Sequence, residues 1–159
     1  VCSSDLSTFA HIERLCRIPD VAGVKFTSFD LYTLSRAKAL GKIVFNGHDE
    51  VLAAGLLMGA DGGIGSIYNI EPGLFVSLYR AARAANWTEA RRLQDRINTL
   101  ITIVLQYPLF PALKRILAWR GIDCGHCVQP RRPLTIEEEQ RLRAALLQAG
   151  FTETPNPAH

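Results

Sequence analysis

Three short polar clusters in this chain carry the residue types of a reactive site. The first is Lys25, set inside the run Ala22-Gly23-Val24-Lys25-Phe26-Thr27. An ammonium is costly to bury unless it is paired or neutral, and burial lowers the pKa of a lysine. A neutral amine is the nucleophile that attacks a ketone to form a Schiff base. The same pattern also suits a lysine that marks the wet end of a strand, and the run alone does not choose between the two.

The second cluster is Asn46-Gly47-His48-Asp49-Glu50, directly after the apolar Ile43-Val44-Phe45. Neighbouring carboxylates on Asp49 and Glu50 suit the vicinal hydroxyls of a sugar. The plainer alternative is that Asp49 caps the next helix and Glu50 favours its positive end. The third cluster is Gly62-Gly63-Ile64-Gly65-Ser66, which lacks both the G-x-G-x-x-G spacing and the lysine of a phosphate loop. Small residues there let a ligand or a neighbouring backbone approach, with Ser66 as a hydroxyl donor at a strand mouth. Cys124 and Cys127 have C-x-x-C spacing, but no second ligand pair accompanies them, so they read as an inter-helix loop and no metal is expected.

The elements that must position these clusters follow from hydrophobic period and punctuation. A first helix runs through Phe9, Ile12, Leu15 and Cys16 behind Ser7 or Thr8, and stops before Pro19. Val21 to Phe26 reads as a strand buried on both faces, as in a parallel sheet. A helix from about Asp30 to Leu40 ends at Gly41, and Ile43 to Phe45 is the second strand. Glu50 to Met58 is a helix apolar nearly all round, hence packed on several sides. Gly62 to Ile67 is the third strand. Pro72 then opens a helix whose stripe includes Leu74, Phe75, Leu78, Ala82 and Ala85.

After that the strands stop. A long amphipathic helix behind Asn86 or Thr88 buries Ala90, Leu93, Ile97, Leu100, Val104 and Leu105. A shorter helix spans Pro111 to Arg120, and a last one begins at the capping box Thr135-x-x-Glu138 and ends at Gly150. The organisation is therefore a leader over 1–6 that reads as non-native, strand–helix units over 7–86, a helical extension over 87–150 and a frayed tail over 151–159. Short parallel crossovers of this kind belong either to an open doubly wound sheet or to a (β/α)8 barrel. Three strands do not close a barrel, so this α/β chain is a small open sheet or the last part of a barrel.

Composition limits the partners. The chain has 159 residues, 48% of them apolar, and a net charge of only +3 with its cations scattered, which argues against a nucleic-acid surface. No apolar run approaches the ~20 residues of a membrane span. The four cysteines are too few and too unevenly placed for a disulfide framework, and a cytoplasmic setting is the default reading.

Taken in order, Gly23-Val24-Lys25-Phe26-Thr27, Asn46-Gly47-His48-Asp49-Glu50 and Gly62-Gly63-Ile64-Gly65-Ser66-Ile67-Tyr68-Asn69 resemble the second half of N-acetylneuraminate lyase. The resemblance continues through Tyr107-Pro108-Leu109-Phe110 and Gly121-Ile122-Asp123. It implies the C-terminal part of a (β/α)8 barrel of the dihydrodipicolinate synthase superfamily, followed by three helices, in proteins that usually form homotetramers. By resemblance Lys25 is the Schiff-base lysine on the sixth barrel strand, and Thr27 lines the pocket near the C4 hydroxyl. Gly47, Asp49, Glu50 and Ser66 match positions that bind the polyhydroxyl tail, Gly65 the pocket floor, and Phe110 a pocket-lining aromatic.

The implied reaction is reversible cleavage of sialic acid to pyruvate and N-acetylmannosamine, with no cofactor. Another 2-keto-3-deoxy acid aldolase, a dihydrodipicolinate synthase-like enzyme and a non-catalytic open-sheet module are the alternatives. His48 departs from the aromatic residue more usual in the family, which leaves sugar preference open. The family's carboxylate-binding loop and proton-shuttling tyrosine lie on earlier strands, so the 159-residue piece is expected to be inactive alone and prone to aggregate.

Overall fold

The computed structural model describes residues 8–153; the expected leader and the tail beyond residue 153 lie outside the described residues. Three parallel strands, β1 (Gly23–Phe26), β2 (Ile43–Asn46) and β3 (Gly62–Gly63), pair in sequence order. Helix α1 (Phe9–Cys16) precedes them, and α2 (Leu31–Lys38), α3 (Leu52–Leu57) and α4 (Pro72–Arg83) follow one strand each. Then come α5 (Trp87–Val104), α6 (Leu109–Trp119) and α7 (Ile136–Gln148). Short 3-10 turns at Asp49–Val51 and Ile67–Asn69 follow the second and third strands. These are parallel strand–helix units with further helices appended.

The described residues fall into two compact units. One holds those up to Gly65 together with Val76–Gln94; the other holds Ser66–Phe75 and those from Asp95 onward. In the first, α1, α2 and one face of the sheet enclose a core of Ile12, Val24, Phe26, Leu34, Ala37 and Val44. Val24 and Phe26 alternate with the half-buried Gly23 and Lys25, so β1 is buried on one face and not on both as expected. The other face carries Gly23, Lys25, Ile43 and Phe45, and Ile43 remains 45% exposed.

Two further expectations are corrected. The third strand is two residues long, because beyond Gly63 only the Ile64 N–H continues the ladder, to Asn46 O at 2.9 Å, and Ile67 lies in a 3-10 turn. Helix α3 buries Leu52 and Gly55 but leaves Leu57 60% exposed, so it packs on one side only. On α4 the expected stripe buries Phe75, Leu78 and Ala82, whereas Ala85 lies past the helix end at a φ of 56°. Asn86 Oδ1 accepts from Glu89 N at 3.2 Å and caps α5, whose buried stripe includes Ala90, Leu93, Ile97 and Val104 but not the exposed Leu105.

Lys38 joins α2 to the approach of β3. Its Nζ lies 2.7 Å from Asp61 Oδ1, while Asp61 Oδ2 accepts from Val44 N at 2.8 Å. Burial works to raise the Asp61 carboxyl, but the hydrogen bonds from Lys38 and Val44 outweigh it and hold the group below its ordinary value.

In the second unit, Arg120 donates to Glu71 at 2.7 Å and lies over the ring of Phe151, 4.4 Å from its centroid. Phe151 is buried, so the chain is anchored one residue past Gly150 where a tail was expected to begin. Gly150 itself sits at a φ of 81°, the left-handed turn that ends α7 and that a side chain disfavours. At the other end of α7 the capping box forms: Thr135 Oγ1 accepts from Glu138 N, and a Glu138 carboxylate oxygen accepts from Thr135 N at 2.9 Å.

The Arg132 guanidinium, and then the Thr135 amide, lower the Glu138 carboxyl to about 2. A depressed carboxyl stabilises the fold above its unfolded value, and that contribution disappears as pH falls through the folded one. The first turn of α7 should therefore hold its amide protection down to about pH 4.5 and lose it progressively toward about pH 2. Hydrogen exchange followed by NMR checks this, and Arg132→Met should move the loss to higher pH.

Candidate active site

The site begins where β1 ends. In the sheet register Lys25 pairs with Phe45 and Phe45 with Gly62, so the three form one row on the face opposite the helical core. That face lines an open groove of about 370 Å³ bounded by Gly23, Lys25, Ile43, Phe45 and Ile64. Gly62 leaves room for the Phe45 ring, since a Cβ there would stand 3.3 Å from Phe45 Cδ1. Lys25 is half-buried, and among the described residues no carboxylate pairs with its amine.

The strand ends are held level by main-chain bonds, Gly47 N to Phe26 O at 2.8 Å and Ile64 N to Asn46 O at 2.9 Å. Glycines then let the polar groups close up. A Cβ on Gly47 would overlap Thr27 Oγ1 and stand 2.9 Å from Phe26 O. A Cβ on Gly65 would overlap the Asp49 carboxylate. The structure thus brings together Thr27 with Gly47 and Asp49 with Gly65. Ser66 and Phe110 belong to the second unit. There Ser66 opens the turn at Ile67–Asn69 with its carbonyl accepting from Asn69 Nδ2 at 2.9 Å, and Arg131 lies over the Phe110 ring.

The capping role open to Asp49 is not the one it takes. His48 is the N-cap of the 3-10 turn, and Asp49 sits within the turn at 7% exposure, its carboxylate directed against Gly65. A carboxylate that could be solvated at a helix start is instead desolvated at a strand mouth, an expensive placement for a purely structural group. Glu50 is half-buried beside it, and His48 Nδ1 lies 3.6 Å from Glu50 Oε2, too long for a hydrogen bond. The His48 ring stacks on Phe29, with centroids 4.1 Å apart.

Three residues support the site; Phe29 and Gln94 were not singled out in the sequence, and Asn46 was named only as part of its cluster, with no role. Phe29 sets the His48 ring. Asn46, fully buried, donates from Nδ2 to His48 O at 2.6 Å. Gln94, 7% exposed on α5, donates from Nε2 to Asp49 O at 2.9 Å and accepts from Ala53 N at 2.9 Å. Its signal was present: with Ala90, Leu93 and Ile97 it falls at i, i+3, i+4 and i+7, a polar residue on an apolar stripe.

The loop after α6 leaves Cys124 exposed and Cys127 half-buried as free thiols, with Lys114 Nζ donating to the Cys124 and His126 carbonyls at 2.8 Å each. Among the described residues no group of three or more His, Cys, Asp or Glu is placed to hold a metal. Nor, among them, is any single helix long and apolar enough to cross a membrane.

The model of the dihydrodipicolinate synthetase family matches residues 3–149. The chain belongs to that family. Its relatives include the N-acetylneuraminate lyase of Rhizobium meliloti, 38% identical over 139 residues, which make up 86% of this chain and 46% of that protein. The Fusobacterium nucleatum lyase is 35% identical over 117 residues, 72% of this chain and 40% of that protein.

Solved structures of the family agree. The Fusobacterium nucleatum lyase complexed with pyruvate superposes with a TM-score of 0.82 at 31% identity, over 89% of this chain and 49% of that one. The Ruminococcus gnavus sialic acid aldolase gives 0.83 at 28% identity, over 90% and 50%. The chain therefore spans about half the length of the family members it matches. With the family shown, the sheet is part of a (β/α)8 barrel, and the reading as a small open-sheet module is set aside.

Proposed function

We propose that this chain carries the lysine half of a Schiff-base aldolase site, in a protein that cleaves sialic acid reversibly to pyruvate and N-acetylmannosamine. The observation that carries the reading is the half-buried Lys25 amine, without a carboxylate partner among the described residues, in the interior row of the sheet. A related Ruminococcus gnavus sialic acid aldolase has been solved as a catalytic lysine mutant, which supports giving the chemistry to a lysine.

Lys25 Nζ attacks the C2 ketone, water leaves, and a protonated imine forms. The bond between C3 and C4 then breaks as the C4 hydroxyl gives its proton to a base and C4 becomes the aldehyde carbon of N-acetylmannosamine, while the electron pair of the broken bond moves into the imine to leave an enamine. Protonation at C3 and hydrolysis release pyruvate and restore the amine. Thr27, two residues beyond Lys25, is assigned to the C4 end. The Asp49 and Glu50 carboxylates, with Gly47, Gly65 and Ser66, are assigned to the hydroxylated tail, and Phe110 to the pocket wall.

Borohydride reduction in the presence of pyruvate should add the reduced three-carbon adduct to Lys25 of the whole protein, located by peptide mass spectrometry. An unmodified Lys25 sinks the proposal. The second reading, an aldolase for a different 2-keto-3-deoxy acid, is favoured by one observation: His48 with its Phe29 stack occupies the position next to the tail-binding carboxylates. Turnover of sialic acid against 2-keto-3-deoxygluconate distinguishes the two.

A further inference from the structure

The turn bearing Asp49 and Glu50 is built in an unusual way. An α-helix joins a carbonyl directly to the amide four residues on. Here the Gln94 carboxamide stands between such a pair: Asp49 O accepts from Nε2 and Ala53 N donates to Oε1, each at 2.9 Å. The preceding carbonyl is treated alike. His48 O accepts from Asn46 Nδ2 at 2.6 Å and keeps only a long main-chain bond, from Val51 N at 3.4 Å.

Two consecutive carbonyls are thus held by buried side-chain amides from different parts of the chain, and the first turn after β2 stays a 3-10 turn that does not wind into α3. Inserting a side chain into the ladder of a helix changes the direction of the residues at that turn. Those residues are the two carboxylates.

We infer that Gln94, assisted by Asn46, is a positioning residue that holds the turn open and aims Asp49 and Glu50 at the hydroxylated tail of the substrate, which makes it a determinant of acceptor affinity and not of imine formation. The inference rests on the aldolase reading above. Gln94 lies 45 residues from Asp49 in sequence, on a helix and not on the strand that carries Lys25, and both its bonds to the turn are to main-chain atoms. Without its carboxamide, Ala53 N and Asp49 O are free to bond directly, the turn winds up by one residue, and both carboxylates rotate from their present directions.

The test is Gln94→Met in the whole protein, which keeps the side-chain length and removes both hydrogen bonds. Two readouts separate the roles: the borohydride-trapped pyruvate adduct on Lys25, and steady-state kinetics in the aldehyde acceptor. We expect adduct formation within about twofold of the unaltered protein, and an acceptor KM raised about 10- to 100-fold with a smaller change in kcat, as displacement of binding groups by about an ångström produces.

Gln94→Asn, too short to keep both bonds, should shift KM in the same direction and serves if the methionine variant does not fold. An unchanged acceptor KM with an intact adduct overturns the inference alone. A parallel loss of adduct and acceptor binding also overturns it, because Gln94 would then be merely structural. Absence of an adduct in the unaltered protein overturns the aldolase reading, and the inference falls with it.

Discussion

In the whole protein, replacing Lys25 with methionine should lower carbon–carbon cleavage by about four to six orders of magnitude, the size of loss that follows removal of a covalent nucleophile. The side chain is of similar length, so the row Lys25–Phe45–Gly62 keeps its packing, and among the described residues no ion pair is broken. Thermal stability should therefore stay the same or rise slightly, since a polar head beside Phe45 and Ile43 is exchanged for a thioether. Activity and stability move independently only if the amine is there for chemistry.

Lys25→Arg sharpens the point. It keeps a positive charge at the same register position but cannot form an imine under ordinary conditions, so it should be as inactive as the methionine variant. Activity retained by Lys25→Arg would mean that the residue acts as a fixed charge. The measurements are single-turnover cleavage of sialic acid and the melting curve of each variant.

The legibility of these features in the sequence divides along a physical line. Features set by nearby residues were readable. The Thr135 and Glu138 capping box, Asn86 as one of two caps offered for its helix, the stops at Gly121 and Gly150, and the strand ends at Phe26 and, to within one residue, Asn46 all depend on interactions within a few residues. The order and parallel sense of the strands followed, because short helical crossovers allow little else. Features set by distant partners were not. Asp49 at the head of an apolar segment looks the same whether it caps a helix or turns inward, and what decides is Gly65, sixteen positions later, whose missing side chain leaves room for the carboxylate.

Gln94 illustrates the same limit from the other side. Its place on the apolar stripe marks it as buried, but the turn it binds lies 45 residues away and is not legible from the helix. The third strand was overcalled because Gly62 to Ile67 offers few side chains whose period could be measured. Two of its glycines, Gly62 and Gly65, are better understood as clearance for Phe45 and Asp49. Motif order singled out Lys25, but nothing around that lysine in the sequence says which face of the sheet it takes; the register puts it on the face opposite the helical core.

Clearance at Gly65 gives a second large effect. A methyl group there and the Asp49 carboxylate require the same space, so Gly65→Ala forces either the backbone after β3 or the buried carboxylate to move. Overfilling a packed site of this kind costs about 1–3 kcal/mol of stability. If Asp49 binds the sugar tail, the acceptor KM should rise about 10- to 100-fold as the carboxylate is displaced. The pyruvate adduct on Lys25 should survive, because that lysine lies on β1 while Gly65 follows β3.

The pair can be tested as a cycle. Asp49→Ala removes the obstructing carboxylate, so Gly65→Ala made on top of it should cost far less stability than Gly65→Ala alone, a non-additivity expected of residues competing for one volume. Acceptor binding should not recover in the double variant, since the carboxylate itself is gone. Additive stabilities in that cycle would mean that Gly65 serves the backbone alone and that the closeness of Asp49 is incidental. Recovered acceptor binding would remove Asp49 from the sugar site altogether.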